Sequence, residues 1–272
     1  MPHSEPVRIS LPVAAASVAL VLGVVLSAAP EDSRPAVADA SLPLAGRVVA
    51  IDPGHQLGNS RFPARVGRQV WVGIWKACNS TGTSTAGGFP EATFAWRVSR
   101  RLAARLEALG ATVRTTRTSN SRDAWGPCVD TRGRFGAKVG ADLAISLHGD
   151  GADSSTHGFF VIRPGLREGY TDDIAGRSRT LAARVRAGLV GAGFGVSTAY
   201  GGDGLDTRRD LGTLNMADVP TVMVELGNMR NAGDARCMTS RRCRARYAAG
   251  LTAGVTGYLS RAAPRRPARP SP

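Results

Sequence analysis

Apolar positions along this chain fall into two patterns, stripes at helical spacing and short runs, and the two alternate. In "EATFAWRVSRRLAARLEALG", Phe94, Val98, Leu102, Leu106 and Leu109 fall on one stripe at three- and four-residue spacing. That spacing predicts a helix opening at Glu91 and ended by Gly110. Ile174, Leu181, Val185 and Leu189 mark a second helix over 172–190, and "RCRARYAAGLTAGVTGYLSR" a closing one with Ser240 as its N-cap. "DTRGRFGAKVG" is read as a further helix despite its glycines. Between these lie short apolar runs that read as strands: "GRVVAID", "ATVRTTR", "DLAISLHGD", "HGFFVIRP" and "PTVMVELGN". Pro164 stops the fourth, which suggests an edge strand. Strands alternating with helices of this length predict an α/β fold with a mostly parallel sheet. In such sheets ligands gather beyond the carboxyl ends of the strands.

Three stretches break the alternation. Residues 57–88 are rich in Gly, Ser and Thr and contain one alternating piece, "RQVWVGIW". They read as a hairpin or flap inserted into a single domain, and long insertions at that edge often act as lids or binding flaps. Residues 11–28 are apolar without interruption, with Arg8 before them and Ala38-Asp39-Ala40 after them. This is the order of a secretory signal. The alternative for 1–40 is an uncleaved N-terminal anchor, because the run borders on the length of a membrane span; either way the remainder is exported. Residues 263–272 form a basic, Pro-rich tail that cannot build a core, which leaves 41–262 as the folded domain.

Export changes the reading of the four cysteines, Cys78, Cys128, Cys237 and Cys243. None sits in a C-x-x-C pair, which argues against a structural zinc cluster, and an even count outside the cytoplasm reads as disulfides. Three pairings are possible; Cys237–Cys243, close in sequence, is preferred and leaves Cys78–Cys128. The formal net charge of +14 should draw the protein to polyanions, with anionic wall polymers and lipid headgroups ahead of nucleic acid. No aromatic-interleaved basic motif for reading bases is present.

The candidate chemistry sits at strand ends. The first strand runs into Asp52-Pro53-Gly54-His55, "DLAISLHGD" carries His148, "PTVMVELGN" carries Glu225, and Glu91 opens the first long helix. In a parallel sheet all four lie near one edge. Two imidazoles and a carboxylate, with a second carboxylate to spare, match a catalytic zinc site, which takes three protein ligands and keeps one position for water. Singly, three of them have plain structural explanations. A turn histidine such as His55 is normally solvated, His148 can be satisfied within a core, and a glutamate at a helix start is favoured by the dipole. Glu225 is different, since a carboxylate in an apolar strand is costly without partners. His157 precedes a strand and is read as structural. Neither G-x-S-x-G nor H-E-x-x-H occurs, so a serine nucleophile has no support.

Taken together, "VVAIDPGH", the helix-opening Glu91, "ADLAISLHGD" and "DLGTLNMADVPTVMVELGNMRN" resemble the zinc-dependent N-acetylmuramoyl-L-alanine amidases of the amidase-3 family, from about Gly46 to Leu259. The resemblance implies a twisted, mainly parallel sheet with helices on both faces. It places zinc ligands on His55, Glu91 and His148, and the catalytic carboxylate on Glu225. "TRTSN" resembles the stretch after the family's second strand, and Arg132 takes its arginine position in the helix before "SLH". The implied activity is zinc-dependent hydrolysis of the amide bond between N-acetylmuramic acid and L-alanine, in cell-wall remodelling or recycling. It implies a secreted, periplasmic or wall-located monomer that acts on peptidoglycan or its fragments and binds no nucleic acid. Departures are "QLGN" after the first histidine, the long insertion with Cys78, "SLHGD" where the family has "SIHAN", and Ala137 where it has asparagine; none touches a proposed ligand. No separate wall-binding repeat is present. The alternatives are another zinc peptidase acting on stem peptides, a non-catalytic wall-binding protein on the same fold, and a basic nucleic-acid binder.

Overall fold

Alternating apolar and small residues along the strands decide which face each helix covers. The computed structural model describes residues 42–261 apart from 198 and 201; the expected leader at 1–40 and the tail at 263–272 lie outside the described residues. The described chain runs β1 (Val48–Pro53), α1 (Pro63–Gly67), β2 (Gln69–Trp71), β3 (Trp75–Ala77), α2 (Glu91–Ala108), β4 (Thr112–Thr115) and α3 (Val129–Lys138). It continues through β5 (Leu143–Asp150), β6 (Phe160–Pro164), α4 (Ala175–Gly191), β7 (Leu205–Arg208), α5 (Gly212–Asn215), β8 (Thr221–Asn228), α6 (Ala232–Thr239) and α7 (Arg241–Leu259).

Six strands form one sheet in the order β4-β1-β5-β8-β6-β7. Its left four strands are mutually parallel, and β6 with β7 runs antiparallel to β8. Val49, Ile51, Leu143 and Ile145 point to one face, where the stripe Phe94, Val98, Leu102 and Leu106 of α2 packs with Leu181 and Val185 of α4 and Leu251 and Val255 of α7. Ala50 and Ala144 point to the other face and meet Phe135 and Val139 near α3. The glycines of α3 belong to this packing. A Cβ on Gly133 would lie 2.7 Å from both the Met216 Cβ and the Thr213 carbonyl oxygen, so only glycine lets the helix lie this close to α5. The molecule is thus a single α/β domain, with a mostly parallel sheet and helices on both faces.

The sequence reading of "HGFFVIRP" as an edge strand is corrected. β6 lies between β8 and β7, and β7 is the outermost strand. Pro164 fits there because Val161 and Gly165 donate their N–H groups to the carbonyls of Gly204, just before β7, and Arg208 at 2.9 and 2.7 Å. Pro164 faces the β8 side, where pairing has already ended at Ile162, so its missing N–H forfeits no ladder bond. The closing helix starts as expected, with the Ser240 hydroxyl accepting from the Cys243 N–H at 3.4 Å. Among the described residues no helix is long and apolar enough to cross a membrane.

The insertion contains the small antiparallel hairpin β2–β3. Its apolar residues Val70 and Val72 pack with the Cys78–Cys128 disulfide, which ties the insertion to the segment entering α3. The second disulfide, Cys237–Cys243, joins α6 to α7. Trp71 and Trp75 of the hairpin remain exposed, edge to face at 5.4 Å.

Candidate metal centre

The parallel strands bring the chain's strand-end polar residues to one place. β1 stops at Pro53, and Gly54 still donates to the Leu147 carbonyl of β5 at 2.9 Å. The turn that follows leaves three carbonyls without ladder partners, and two buried arginines take them. Arg117 donates to the Pro53 oxygen at 3.0 Å and the Gly54 oxygen at 3.3 Å, while Arg132 donates to Pro53 at 2.9 Å and His55 at 2.7 Å. Held in this way, His55 adopts φ 56°, the only positive φ at a non-glycine among the described residues. That left-handed conformation disfavours a side chain and persists where surrounding contacts over-determine it. It aims the ring off the end of the strand.

Beneath the turn lies an ionic core. The Asp52 carboxylate pairs with Arg132 and accepts from the hydroxyls of Thr116 at 2.5 Å and Ser146 at 2.7 Å. Burial opposes the charge on Asp52, but Arg132 and the two hydroxyls outweigh it and hold the carboxyl below its ordinary pKa. Burial also pulls Arg117 down to about 9, with the like charge of Arg132 adding to the effect. Arg132 was matched to a family position from sequence; Asp52 and Arg117 lay in quoted stretches but were given no role of their own. The signal available was an apolar strand, "VVAID", that ends in a charge.

His55, Glu91 and His148 each offer a ligand atom, and these atoms lie within 4.8 Å of one another. The Glu91 Oε1 stands 3.0 Å from His55 Nε2 and 2.8 Å from His148 Nδ1, with the two rings edge to face at 4.9 Å. The other imidazole nitrogen of His55 lies 3.1 Å from the Ser80 carbonyl, which can only accept. A proton on Nδ1 satisfies that carbonyl, and in this tautomer the Nε2 lone pair is free to face a cation in the cluster. Glu91 Oε2 accepts from the Thr83 N–H at 2.9 Å, so both oxygens of this buried carboxylate are fixed. Burial alone would raise the Glu91 pKa, but His55 and His148 outweigh it and lower it. Burial likewise opposes a charge on His55, and Glu91 with the Ser80 carbonyl reverses this and raises the ring's pKa. Lone pairs and a carboxylate converge on one point that favours a cation. Backbone groups of Ser80 and Thr83, both in the inserted segment, complete the cluster; sequence reasoning missed them because a carbonyl and an N–H leave no side-chain signature.

Glu225 stands beside His148 in register on the neighbouring strand. Its Oε2 is buried and has no hydrogen-bond partner among the described residues. Burial, the Glu91 charge and the Asp150 charge all push its pKa well above the ordinary carboxylate value. Glu225 and the three cluster residues line one groove of about 450 Å³, whose other wall is the inserted segment through Lys76, Asn79 and Thr83. His157 is exposed and outside the cluster.

Comparison with known proteins agrees with this architecture. Residues 49–257 match the family Amidase_3, described as N-acetylmuramoyl-L-alanine amidase. The N-acetylmuramoyl-L-alanine amidase Rv3717 of Mycobacterium tuberculosis is 40% identical over 248 residues, covering 89% of this chain and 98% of its own. The crystal structure of the N-acetylmuramyl-L-alanine amidase Ami1 from Mycobacterium smegmatis superposes with TM-score 0.74 at 35% identity, covering 79% of this chain and 98% of that one. The apo form of Ami1 from Mycobacterium abscessus gives TM-score 0.74 at 36% identity, over 79% and 99% of the two chains.

Proposed function

This chain belongs to the Amidase_3 family of N-acetylmuramoyl-L-alanine amidases, and on that premise we propose that it uses zinc to hydrolyse the amide joining N-acetylmuramic acid to L-alanine in peptidoglycan or its fragments. The observation that carries the reading is a buried, unpartnered carboxylate oxygen on Glu225 beside two imidazoles and a carboxylate.

The donor set fits zinc. Two nitrogens and one carboxylate oxygen are a common catalytic complement, and tetrahedral ligands at ordinary zinc distances stand about 3.3 Å apart. The 2.8 and 3.0 Å contacts of Glu91 with the two rings are close to that spacing. His55, Glu91 and His148 would hold the ion. When bound, zinc supplies a Lewis acid for the scissile carbonyl and lowers the pKa of water toward ~7. Glu225 supplies the proton transfers. It takes the proton of the attacking water and returns it to the departing alanine nitrogen. Its burial beside Glu91 and Asp150 raises its pKa, which favours holding the proton between the two steps. Ser80 and Thr83 orient His55 and Glu91, and Arg117 and Arg132 hold the turn that presents His55.

Digestion of purified wall fragments, followed by mass analysis, tests the reaction. The expected products are intact stem peptide and peptide-free glycan, absent after chelation and restored by zinc. Cleavage inside the stem peptide, or digestion indifferent to chelator, would sink it.

Gly54→Ala probes how closely the turn is fitted to the metal cluster. A Cβ there would lie 2.7 Å from both ring nitrogens of His148. Displacing that ring is expected to weaken zinc affinity about 10- to 100-fold, the usual effect of disturbing a ligand's support, read by competition with a chromogenic chelator.

The reading also places the enzyme outside the cytoplasm, held on the wall by charge. The net +14 gives the attraction, which salt screens over ~10 Å at 0.1 M and ~3 Å at 1 M. Retention on sedimented wall should therefore fall steeply across that range. Retention unaffected by salt would assign it to other contacts.

A further inference from the structure

A second concave site lies on the helical face. Trp96, Arg97, Arg100 and Arg101 of α2 line a cavity of about 550 Å³ together with Arg241 and Arg244 of α7, and no carboxylate lines it. It shares no residue with the groove of the metal cluster. Arg97, Arg100 and Arg241 are exposed at its rim, and Arg244 is only 3% exposed. Arg244 donates to the Met238 carbonyl at 2.7 Å, while its Nε is buried and has no partner among the described residues. Arg97 and Arg244 share one aromatic ring, at 5.4 and 5.8 Å from the centroid of Phe89. Burial and the like charges of Arg97, Arg101 and Arg241 all depress the Arg244 pKa. Such a concentration of cations without a counter-charge is costly alone and is relieved by an anion. The fold keeps it in place. The Cys237–Cys243 disulfide closes the short link in which Ser240 caps α7, and Arg241 and Arg244 project from that first turn.

We propose that this cavity binds the phosphodiester groups of an anionic wall polymer, holding the enzyme on the wall while the separate groove is free to act. Guanidinium forks match phosphoryl oxygens in a bidentate manner, and arginines at both rim and base suit a chain that carries one charge after another. A membrane surface is a poorer occupant, since interfacial binding needs exposed apolar anchors. The exposed large apolar residues, such as Trp71 and Leu166, lie outside this cavity. Nucleic acid is also a poorer occupant. The one indole in the cavity, Trp96, is half-buried and already carries the guanidinium groups of Arg100 and Arg117 at 5.8 and 5.1 Å.

The test titrates inorganic pyrophosphate and poly(glycerol phosphate) into the full chain by calorimetry. The triple variant Arg97→Gln/Arg101→Gln/Arg241→Gln is compared with Arg177→Gln/Arg179→Gln, which removes two exposed charges on α4. Both probes are expected to bind the parent and the α4 variant alike, and the triple variant at least about tenfold more weakly. Hydrolysis of a soluble muramoyl peptide, measured on the same samples, should not change, and its absence from the parent would count against the amidase reading alone. Failure of both probes to bind the parent overturns the site, as does equal loss in the two variants. Tighter binding of phosphatidylglycerol vesicles or single-stranded DNA than of poly(glycerol phosphate) overturns the assignment to a wall polymer.

Discussion

Glu225→Gln is expected to lower kcat by about 100- to 10,000-fold, the usual contribution of a positioned acid–base group, with zinc content unchanged. Glutamine keeps the shape of the side chain and its place on β8, where residue 225 pairs with His148 on one side and Phe160 on the other. His55, Glu91 and His148 are untouched, so the proposed ligand set survives. What disappears is the ability to accept a proton. The amide oxygen cannot take a proton from water at neutral pH, and the amide NH₂ cannot return one to the leaving nitrogen. The substitution also removes a carboxylate that burial, Glu91 and Asp150 all oppose, so folding stability should hold or rise. Purified variant with one zinc per chain and near-parental turnover would remove Glu225 from the reaction. Lost turnover together with lost zinc would instead move it into the ligand set.

The sheet and its large helices were legible because burial writes itself into the spacing of apolar residues. Val49 and Ile51, or Leu143 and Ile145, must face a helix, and the stripe of α2 must face them. β7 left no such trace. Its "LDTR" is mostly polar and is a strand only because β6 offers a partner, so with no sign of β7 Pro164 made β6 read as an edge. α6 is similar, a short helix begun by the Asn231 side chain and tied to α7 by a disulfide. At the site, His55, Glu91, His148 and Glu225 could be named because each is a polar residue where an apolar strand ends or a helix begins. Their supports could not. Ser80 and Thr83 act through backbone atoms, and Arg117 acts by filling carbonyls that only the folded turn exposes. The place of these four residues in the fold was thus readable from side-chain type and element position, while their orientation required coordinates.

Arg132→Met is expected to destabilise the fold by about 3–5 kcal/mol, the loss typical when one partner of a buried ion pair is removed. The Arg132 and Asp52 side chains are 3% and 6% exposed, so water cannot replace the missing cation. Thr116 and Ser146 still donate to Asp52, but three carbonyls, of Pro53, His55 and Pro127, lose a donor. The pH dependence separates this cause from lost packing. In the parent, Asp52 has a lowered pKa, so its contribution is fully present above the ordinary carboxylate value of ~3.9 and is lost as pH falls through the lower folded value. In the variant, the strongest of the groups opposing burial is gone and chiefly the Thr116 and Ser146 hydroxyls remain, so the same pKa is expected to rise and protonation relieves part of the penalty as pH falls. The gap between parent and variant, read from urea midpoints at constant m, should be widest near neutrality and close on acidification. A gap of the same size at every pH would mean that Arg132 acts through packing and its carbonyl bonds rather than its charge. Because the same guanidinium holds the His55 carbonyl, the surviving folded variant should also bind zinc more weakly. The ionic core under the turn and the metal cluster above it would then respond to one substitution together.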